Sequence, residues 1–134
     1  MVLGSAVGSL KDKSDLVDAA RTGDIDLARS LLRDGANPNE NIGAEFPLYV
    51  AAAYNNVTLI KLLIDNGADP NQCDPVQEWT SLHVAAYWGN IDACEVLLIK
   101  GAVPDPVTEG GLRPIDLAAK ENHINLFPLF EKVF

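Results

Sequence analysis

The sequence of 134 residues is poor in basic side chains. Ten Lys plus Arg stand against nineteen Asp plus Glu, which gives a formal net charge of −9 at pH 7. An acidic surface repels nucleic-acid phosphates and anionic lipid headgroups, so neither nucleic acid nor a membrane is expected as a partner. The same charge favours a partner protein that carries a basic segment.

Long apolar runs and paired cysteines are also absent. No stretch reaches the roughly eighteen apolar residues of a membrane-spanning helix, and the opening residues lack the basic start of a secretory signal. Cys73 and Cys94 lie outside any CxxC or Cys/His spacing, as is typical of a reducing compartment. These absences predict a cytoplasmic or nuclear protein that needs no disulfide.

The chain does contain an internal repeat. Four segments align when they start at Ser14, Phe46, Thr80 and Arg113, which are 32, 34 and 33 residues apart. A constant period of this length indicates a solenoid of stacked units. We predict a repeat domain over residues 14–134, preceded by an N-terminal extension over residues 1–13 that we expect to be flexible.

Each repeat has the pattern of two short helices. In the third repeat, the Thr80 hydroxyl can cap the first helix and Gly89 breaks the chain before the second. Leu97 and Leu98 then supply the buried stripe of the second helix, and turn-forming residues separate one repeat from the next. The pattern predicts an all-α fold in which neighbouring units bury their apolar faces against each other.

These motifs resemble those of the ankyrin-repeat family. Three segments are similar to its TPLHxA first-helix signature and two to its GADxN loop: TSLHVAA at 80–86, FPLYVAA at 46–52, RPIDLAA at 113–119, NGADPN at 66–71 and DGANPN at 34–39. The resemblance covers residues 14 to 134. It implies four helix-turn-helix units with projecting hairpin-like loops, and an interaction module in place of an enzyme.

Two departures from the family pattern lead to structural predictions. Glu78 stands where the family usually has glycine, in a loop with one extra residue, so the tip of this hairpin is expected to be distorted. Pro128 falls inside the last helix and should bend or shorten it, because proline lacks a backbone donor.

No motif for catalysis, cofactor binding or metal binding occurs in the sequence. Gly4 and Gly8 lack the GKS or GKT that completes a phosphate-binding loop, and GxSxG, HExxH and dinucleotide fingerprints are missing. His83 is at the TPLH position, which implies hydrogen bonds to loop backbone and to the helix-start Thr. His123 falls at the usual start of a second helix. We expect no enzyme activity, no cofactor and no metal.

Three other polar residues have competing interpretations. Cys73 is expected in an exposed loop, which makes it the candidate reactive thiol, whereas Cys94 is expected on an apolar helix face. Asn39 and Asn71 match the hairpin asparagine that is a substrate of an asparaginyl hydroxylase in some family members. A structural role in stabilising the turn is the favoured interpretation for both.

Aromatic residues provide the strongest functional signal. The resemblance implies a concave binding surface formed by the hairpin tips and the outer face of the first helices. Four of the five Trp and Tyr residues fall at such positions in repeats two and three, whereas Tyr49 replaces the TPLH histidine and is expected to be structural. With flanking carboxylates they form the predicted partner-binding set: Glu45, Tyr54, Trp79, Tyr87, Trp88 and Glu121.

Trp and Tyr dominate binding hot spots, and an aromatic strip rimmed by carboxylates suits a segment that carries Arg or Lys. Asp74, Glu78 and Glu109 are further predicted members of this rim. In the alternative interpretation, Tyr87 or Trp88 packs over a neighbouring repeat and contributes to stability only.

The last helix has more apolar residues than one packing face needs: Leu126, Phe127, Leu129, Phe130, Val133 and Phe134. Either Phe130 and Phe134 turn inward, or a further segment, subunit or partner covers them. The second case would make this helix a self-association or assembly surface.

The sequence thus predicts a monomeric, non-enzymatic module that binds a partner protein or basic peptide segment through its concave surface. One alternative is a regulatory inhibitor subunit, because the four-repeat size and the DP loop before repeat three are similar to the cyclin-dependent-kinase inhibitors built from ankyrin repeats. In those inhibitors the first helix of repeat two is short, whereas the segment from Phe46 to Asn56 predicts a full-length helix.

Overall fold

A computed structural model describes residues 13–131, with side chains from residue 16 onward. Of the predicted extension, residues 1–12 lie outside this range, and Lys13 already belongs to the first helix. Val133 and Phe134 also lie outside the described residues. The assignment of residues 1–13 as an extension stays a prediction.

The described chain is helical, and its extended pairing is limited to two isolated bridges in the loops, so the predicted all-α class is confirmed. The helices follow one another in four pairs. In the fourth pair, the second helix begins with a 3-10 turn. Their bounds are α1 Lys13–Thr22, α2 Ile25–Arg33, α3 Pro47–Ala53, α4 Val57–Asp65, α5 Ser81–Trp88, α6 Ile91–Ile99, α7 Pro114–Lys120, 3-10 Ile124–Leu126 and α8 Phe127–Glu131.

The first helices begin where the repeated motifs place them. Phe46, Thr80 and Arg113 are the N-caps of α3, α5 and α7, and each has an extended backbone. Pro47 and Pro114 follow as the first residues of α3 and α7, where a missing N–H leaves no helical hydrogen bond unmade. The TPLH-like motif therefore acts as a helix-start signal in three successive repeats.

Ser81 takes the position in α5 that proline has in α3 and α7. Its hydroxyl is buried without a hydrogen-bond partner, and the preceding Thr80 already has the extended backbone that proline requires. We expect Ser81→Pro to raise the free energy of unfolding by about 1 kcal/mol, because it removes an unsatisfied polar group and restricts the unfolded chain. Urea unfolding checks this, with Ser81→Ala as the control for the hydroxyl alone. A less stable Ser81→Pro variant would contradict the prediction.

A residue with left-handed backbone ends the first helix of every repeat. These residues are Gly23, Asn55, Gly89 and Asn122, with φ values of 75°, 56°, 73° and 63°. The reversal lets the second helix return antiparallel to the first after only one further residue. Glycine or asparagine recurs at this position of every repeat because the turn requires a left-handed backbone, which these two residue types adopt most readily.

The hairpin asparagines join neighbouring repeats. Asn39 Nδ2 donates to the carbonyl of Gly67 (2.9 Å), and its Oδ1 accepts from the N–H of Asp69 (2.7 Å). Asn71 makes the corresponding bonds one repeat later, to the carbonyl of Gly101 (3.3 Å) and from the N–H of Val103 (2.7 Å). Both side chains are engaged in the stack, which confirms their structural role.

Repeats two and three also exchange helix caps. Asn55 Oδ1 accepts from the N–H of Ala93 in the first turn of α6 (2.9 Å). In return, Asn90 Nδ2 donates to the carbonyls of Ala52 and Ala53 at the end of α3 (2.9 and 3.0 Å). Each amide satisfies backbone groups that the neighbouring helix leaves unpaired. This exchange fixes the central two repeats, which carry the aromatic residues, against each other.

The hairpin before α5 departs from the preceding one, as the sequence predicted, because its bridge joins Cys73 to Thr80, seven residues on, whereas the preceding bridge joins Ile42 to Glu45, three residues on. Glu78 adopts the left-handed backbone (φ 62°) that Gly111 adopts in the next loop (φ 83°). Asp74 organises the longer loop, because its carboxylate accepts from the N–H groups of Val76, Gln77 and Trp79 at 2.6 to 2.9 Å. In place of the usual glycine, Glu78 adopts a left-handed backbone that is strained for a residue with a Cβ. The Asp74 carboxylate stabilises the loop through hydrogen bonds from the backbone.

The second helix of repeat four is shortened, as predicted from the position of Pro128. It begins as a 3-10 turn at Ile124–Leu126 and continues as α8, with Pro128 in the first turn of α8. Leu126 and Phe130 are fully buried, and Phe127 and Leu129 are half-buried. Phe130 has therefore turned inward and closes the end of the apolar core.

Candidate protein-binding surface

Two exposed aromatic side chains flank one pocket at the ends of the first helices of the central repeats. Tyr54 ends α3 and Trp88 ends α5, and their side chains are 61% and 58% exposed. Both line a pocket of about 160 Å³ together with Glu45 and Tyr49. Because α3 and α5 pack side by side, the equivalent ends of two first helices bring these rings to one place.

The other two predicted aromatics continue from this pocket as a chain of edge contacts. The Trp79 and Tyr87 rings have centroids 5.7 Å apart, and those of Tyr87 and Trp88 are 5.1 Å apart with an interplanar angle of 88°. Trp79 and Tyr87 are half-buried. Tyr87 therefore packs between two rings of its own repeat and supports Trp88, which presents most of its ring to solvent.

The carboxylates of the predicted set differ in their surroundings. Glu45 lies in the pocket wall and accepts a hydrogen bond from Arg21 Nη2. Glu121 is exposed at the end of α7, in the last repeat, and is not among the residues that line the pocket. Glu78 and Glu109 are exposed in the hairpin loops. The structure thus gathers Glu45, Tyr54 and Trp88 at one pocket.

Asp74 does not belong to the acidic rim predicted for the aromatics. Its side chain is 2% exposed, and its oxygens are used by the loop backbone. Burial alone would raise the pKa of Asp74, but the backbone N–H groups of the loop outweigh it and hold this pKa below its ordinary value. Asp74 is therefore an ionised structural group.

His83 has the structural role that the resemblance implied. Its Nδ1 accepts from the backbone N–H of Thr80 (3.0 Å), and the Thr80 hydroxyl lies 2.9 Å from the same nitrogen. Its Nε2 lies 2.9 Å from the carbonyl of Leu112 in the following loop, to which it donates when Nδ1 is the acceptor. A buried neutral imidazole thus links α5 to the next hairpin.

Acidification is expected to destabilise the protein through His83. Burial lowers the pKa of His83 below its ordinary value near 6.5, so the unfolded chain binds a proton more readily than the folded one as the pH falls through that value. We expect the free energy of unfolding to decrease between about pH 7.5 and 5.5, above the range where carboxylates titrate. Urea unfolding across this interval measures the slope, and His83→Gln should flatten it. An unchanged slope in His83→Gln would contradict this assignment.

Neither cysteine has the environment of an activated thiol. Cys73 is exposed, as predicted, but burial and the charges of Glu78 and Asp74 raise the pKa of its thiol. Cys94 is buried in α6, and burial raises the pKa of its thiol to about 12. A raised thiol pKa disfavours the thiolate that acts as the nucleophile, so Cys73 is no longer a candidate reactive residue.

Two polar side chains that line the pocket, those of Arg21 and Tyr49, were not in the predicted partner-binding set. Arg21 extends from the end of α1 and lines the pocket beside Glu45. Tyr49 packs on Phe46, with ring centroids 5.6 Å apart, yet it also forms part of the pocket wall. The sequence did contain a signal for Tyr49, because it replaces the histidine of the TPLH motif. Its half-buried phenol forms part of the pocket wall together with residues of the neighbouring first helices.

Within residues 13–131, no helix is long and apolar enough to cross a membrane. The same part of the chain contains no group of three or more His, Cys, Asp and Glu side chains that could hold a metal ion.

The comparisons with known proteins agree with the repeat architecture. The Alpha-latrocrustotoxin-Lt1a of Latrodectus tredecimguttatus is 29% identical over 110 residues, which are 82% of this chain and 8% of the toxin. The Glycerophosphocholine phosphodiesterase gde1 of Schizosaccharomyces pombe is 31% identical over 113 residues, which are 83% of this chain and 10% of that protein. The chain therefore spans a tenth or less of these two relatives.

A third relative is of comparable length. The Cyclin-dependent kinase 4 inhibitor B of Mus musculus is 35% identical over 109 residues, which are 81% of this chain and 83% of the inhibitor. The family model for ankyrin repeats in three copies matches residues 16–109 and 50–130, which together cover most of the chain. With four stacked helix pairs, left-handed turns and TPLH-type helix starts in place, the chain belongs to the ankyrin-repeat family.

Proposed function

We propose that this protein is a non-enzymatic, monomeric interaction module of the cytoplasm or nucleus. Its partner is a protein that docks on the concave surface of the central repeats, with Tyr54 and Trp88 as the main contacts. Trp79 and Tyr87 support this surface, and Glu45 and Glu121 provide negative charge along it.

The observation that carries the proposal is the exposure of Tyr54 and Trp88 at a single pocket. A soluble chain usually buries large aromatic rings, because each removes a large apolar area from water. Two such rings that meet at one concavity match the composition of binding hot spots, in which Trp and Tyr are enriched.

The charge of the protein favours a basic segment on the partner. The net charge of −9 attracts a cationic surface over long range and steers its approach. At the pocket, aromatic rings beside the Glu45 carboxylate offer cation–π and ionic contacts to a single basic side chain. The same charge disfavours nucleic acid and anionic membranes.

Affinity capture from an extract of the source cells tests this proposal. The wild-type chain is compared by quantitative mass spectrometry with Tyr54→Ala/Trp88→Ala and with Ile99→Ala/Ile124→Ala. The control pair removes two side chains that are 75% and 63% exposed and lie in the second helices of repeats three and four, away from the first helices and the hairpins. We expect a set of proteins that is lost with the first variant and kept with the second. Equal recovery with all three would contradict the proposed site.

A regulatory inhibitor of a cyclin-dependent kinase is the second candidate. The observation in its favour is the 35% identity over 83% of the length of the mouse inhibitor. Against it, α3 has seven residues, as many as α7 and one fewer than α5, so the first helix of repeat two is close in length to those of the next two repeats. Phosphorylation assays with cyclin-dependent kinase 4 and its cyclin decide the matter: a titratable loss of activity supports this candidate, and unchanged activity removes it.

An assembly role for the C-terminal helix is the least supported alternative. Leu126 and Phe130 lie inside the core of their own chain, so they offer no surface to a second copy. Light scattering across a range of concentrations should give a constant monomer mass, and a mass that rises to a dimer would revive this alternative.

A further inference from the structure

The pocket between Tyr54 and Trp88 already carries a cationic side chain at its edge. Arg21 donates from Nη1 to Oδ1 of Asp18 (2.8 Å) and from Nη2 to Oε1 of Glu45. Arg21 and Glu45 both line the pocket. The carboxylate that a basic ligand would contact is therefore occupied by a guanidinium of the protein itself.

We propose that the pocket receives one arginine side chain of the partner, and that Arg21 is an internal competitor which this arginine displaces from Glu45. The inference rests on the proposed function and deepens it. It names the side chain that the pocket recognises and the residue that controls access to its carboxylate.

The dimensions and walls of the pocket favour a guanidinium. Its volume is about 160 Å³, and cavities of about 150 Å³ are known to take up one molecule of benzene. A planar guanidinium fits such a space. Tyr49, Tyr54 and Trp88 supply aromatic walls, on which arginine stacks better than lysine because the guanidinium is flat and weakly hydrated.

The internal ion pair is weak enough to be exchanged. The side chains of Arg21, Glu45 and Asp18 are 41%, 44% and 65% exposed, so water screens their attraction. Exposed ion pairs change an equilibrium by a factor of about two to five at most. Arg21 also keeps its contact with Asp18 when Glu45 is taken by another cation, which lowers the cost of the exchange.

Arg29 provides a matched control for Arg21. It pairs with Asp26 three residues earlier in α2, as Arg21 pairs with Asp18 in α1, and it is 51% exposed. Arg21→Ala and Arg29→Ala therefore change the net charge equally. Only Arg21→Ala frees the carboxylate at the pocket.

The experiment is a nuclear magnetic resonance titration of the 15N-labelled chain with the tripeptide acetyl-Gly-Arg-Gly-amide at fixed ionic strength. The signal is the indole N–H of Trp88, which is assigned with Trp88→Phe. We expect a saturable shift of this signal, weaker binding of acetyl-Gly-Lys-Gly-amide, and affinity for the arginine peptide that rises about three- to fivefold in Arg21→Ala and less than twofold in Arg29→Ala.

The inference is overturned if the Trp88 signal does not respond to the arginine peptide, or if Arg21→Ala binds no more tightly than Arg29→Ala. Either result leaves the proposed function standing as long as an intact partner still depends on Tyr54 and Trp88. A partner that is indifferent to both aromatic residues would instead contradict the proposed function.

Discussion

Replacing Phe130 by alanine is expected to lower the free energy of unfolding by about 3 to 4 kcal/mol, which is the cost of removing a large buried aromatic side chain. Phe130 is fully buried in the last described helix and packs in the same core as Leu126. Without it, α8 loses packing against α7 and the 3-10 turn, two elements that it contacts. Because stability in a solenoid is transmitted between neighbours, repeat four should fray first.

The control for this prediction is Ile124→Ala in the adjacent 3-10 turn. Ile124 is 63% exposed, so its truncation should cost less than about 0.5 kcal/mol. Urea unfolding followed by circular dichroism measures both variants. A Phe130→Ala variant within about 1 kcal/mol of wild type would mean that this ring does not close the core of the isolated chain.

The second large effect is expected for Gly89→Ala, with a loss of about 3 kcal/mol. Gly89 has φ 73°, a backbone conformation that costs a residue with a Cβ about 1 to 2 kcal/mol. A Cβ at this position would lie 2.6 Å from Nδ1 of His123. The His123 ring cannot simply move away, because its Nε2 is 3.1 Å from the carbonyl of Tyr87, within hydrogen-bond distance. Overpacking therefore adds to the backbone strain.

Two variants separate these contributions. Gly23 has φ 75° at the same position of repeat one, and an added Cβ would lie an ordinary 3.5 Å from Asn56 Nδ2, so Gly23→Ala reports backbone strain alone. The double variant Gly89→Ala/His123→Ala should recover about 1 to 2 kcal/mol relative to the sum of the single changes, because the clash is then absent. Equal losses at Gly89 and Gly23 would contradict the assigned role of His123.

The repeat positions could be predicted from the sequence because they depend on local chemistry. Thr80, Phe46 and Arg113 start helices, and Gly89 ends one, through backbone requirements that involve only a few neighbouring residues. Periodicity then placed Tyr54 and Trp88 at equivalent points of two repeats, and stacking brought them to one pocket. A repeat architecture thus converts sequence spacing into spatial proximity.

The contacts that were missed depend on the direction of single side chains. Asn56 caps its own helix, whereas Asn90, in the same repeat position, reaches the carbonyls of α3, and Asn55 caps α6 in its place. Asp74 could have been a surface carboxylate, but an extra loop residue turned it inward. One-dimensional patterns do not distinguish these choices, because the same residue type at the same repeat position can reach either its own helix or a neighbouring one.

The same limit applies to the charges of the pocket. Glu45 was predicted as a free acidic group for a partner, yet Arg21 from the preceding repeat already binds it. The residues are 24 positions apart, and only the stacking of α1 on α3 brings them together. The aromatic part of the site could be predicted from residue type and register, but its electrostatic state could not.

The central claim is that Tyr54 and Trp88 bind the partner protein. Once a partner is identified, an equilibrium titration should compare wild type, Tyr54→Ala/Trp88→Ala and Ile99→Ala/Ile124→Ala, after circular dichroism has established equal helix content. We predict at least about a 30-fold loss of affinity in the first variant, because two hot-spot aromatic residues each contribute about 1 kcal/mol or more. The control variant should stay within twofold of wild type. A loss of less than twofold in Tyr54→Ala/Trp88→Ala would contradict the claim and place the binding surface elsewhere.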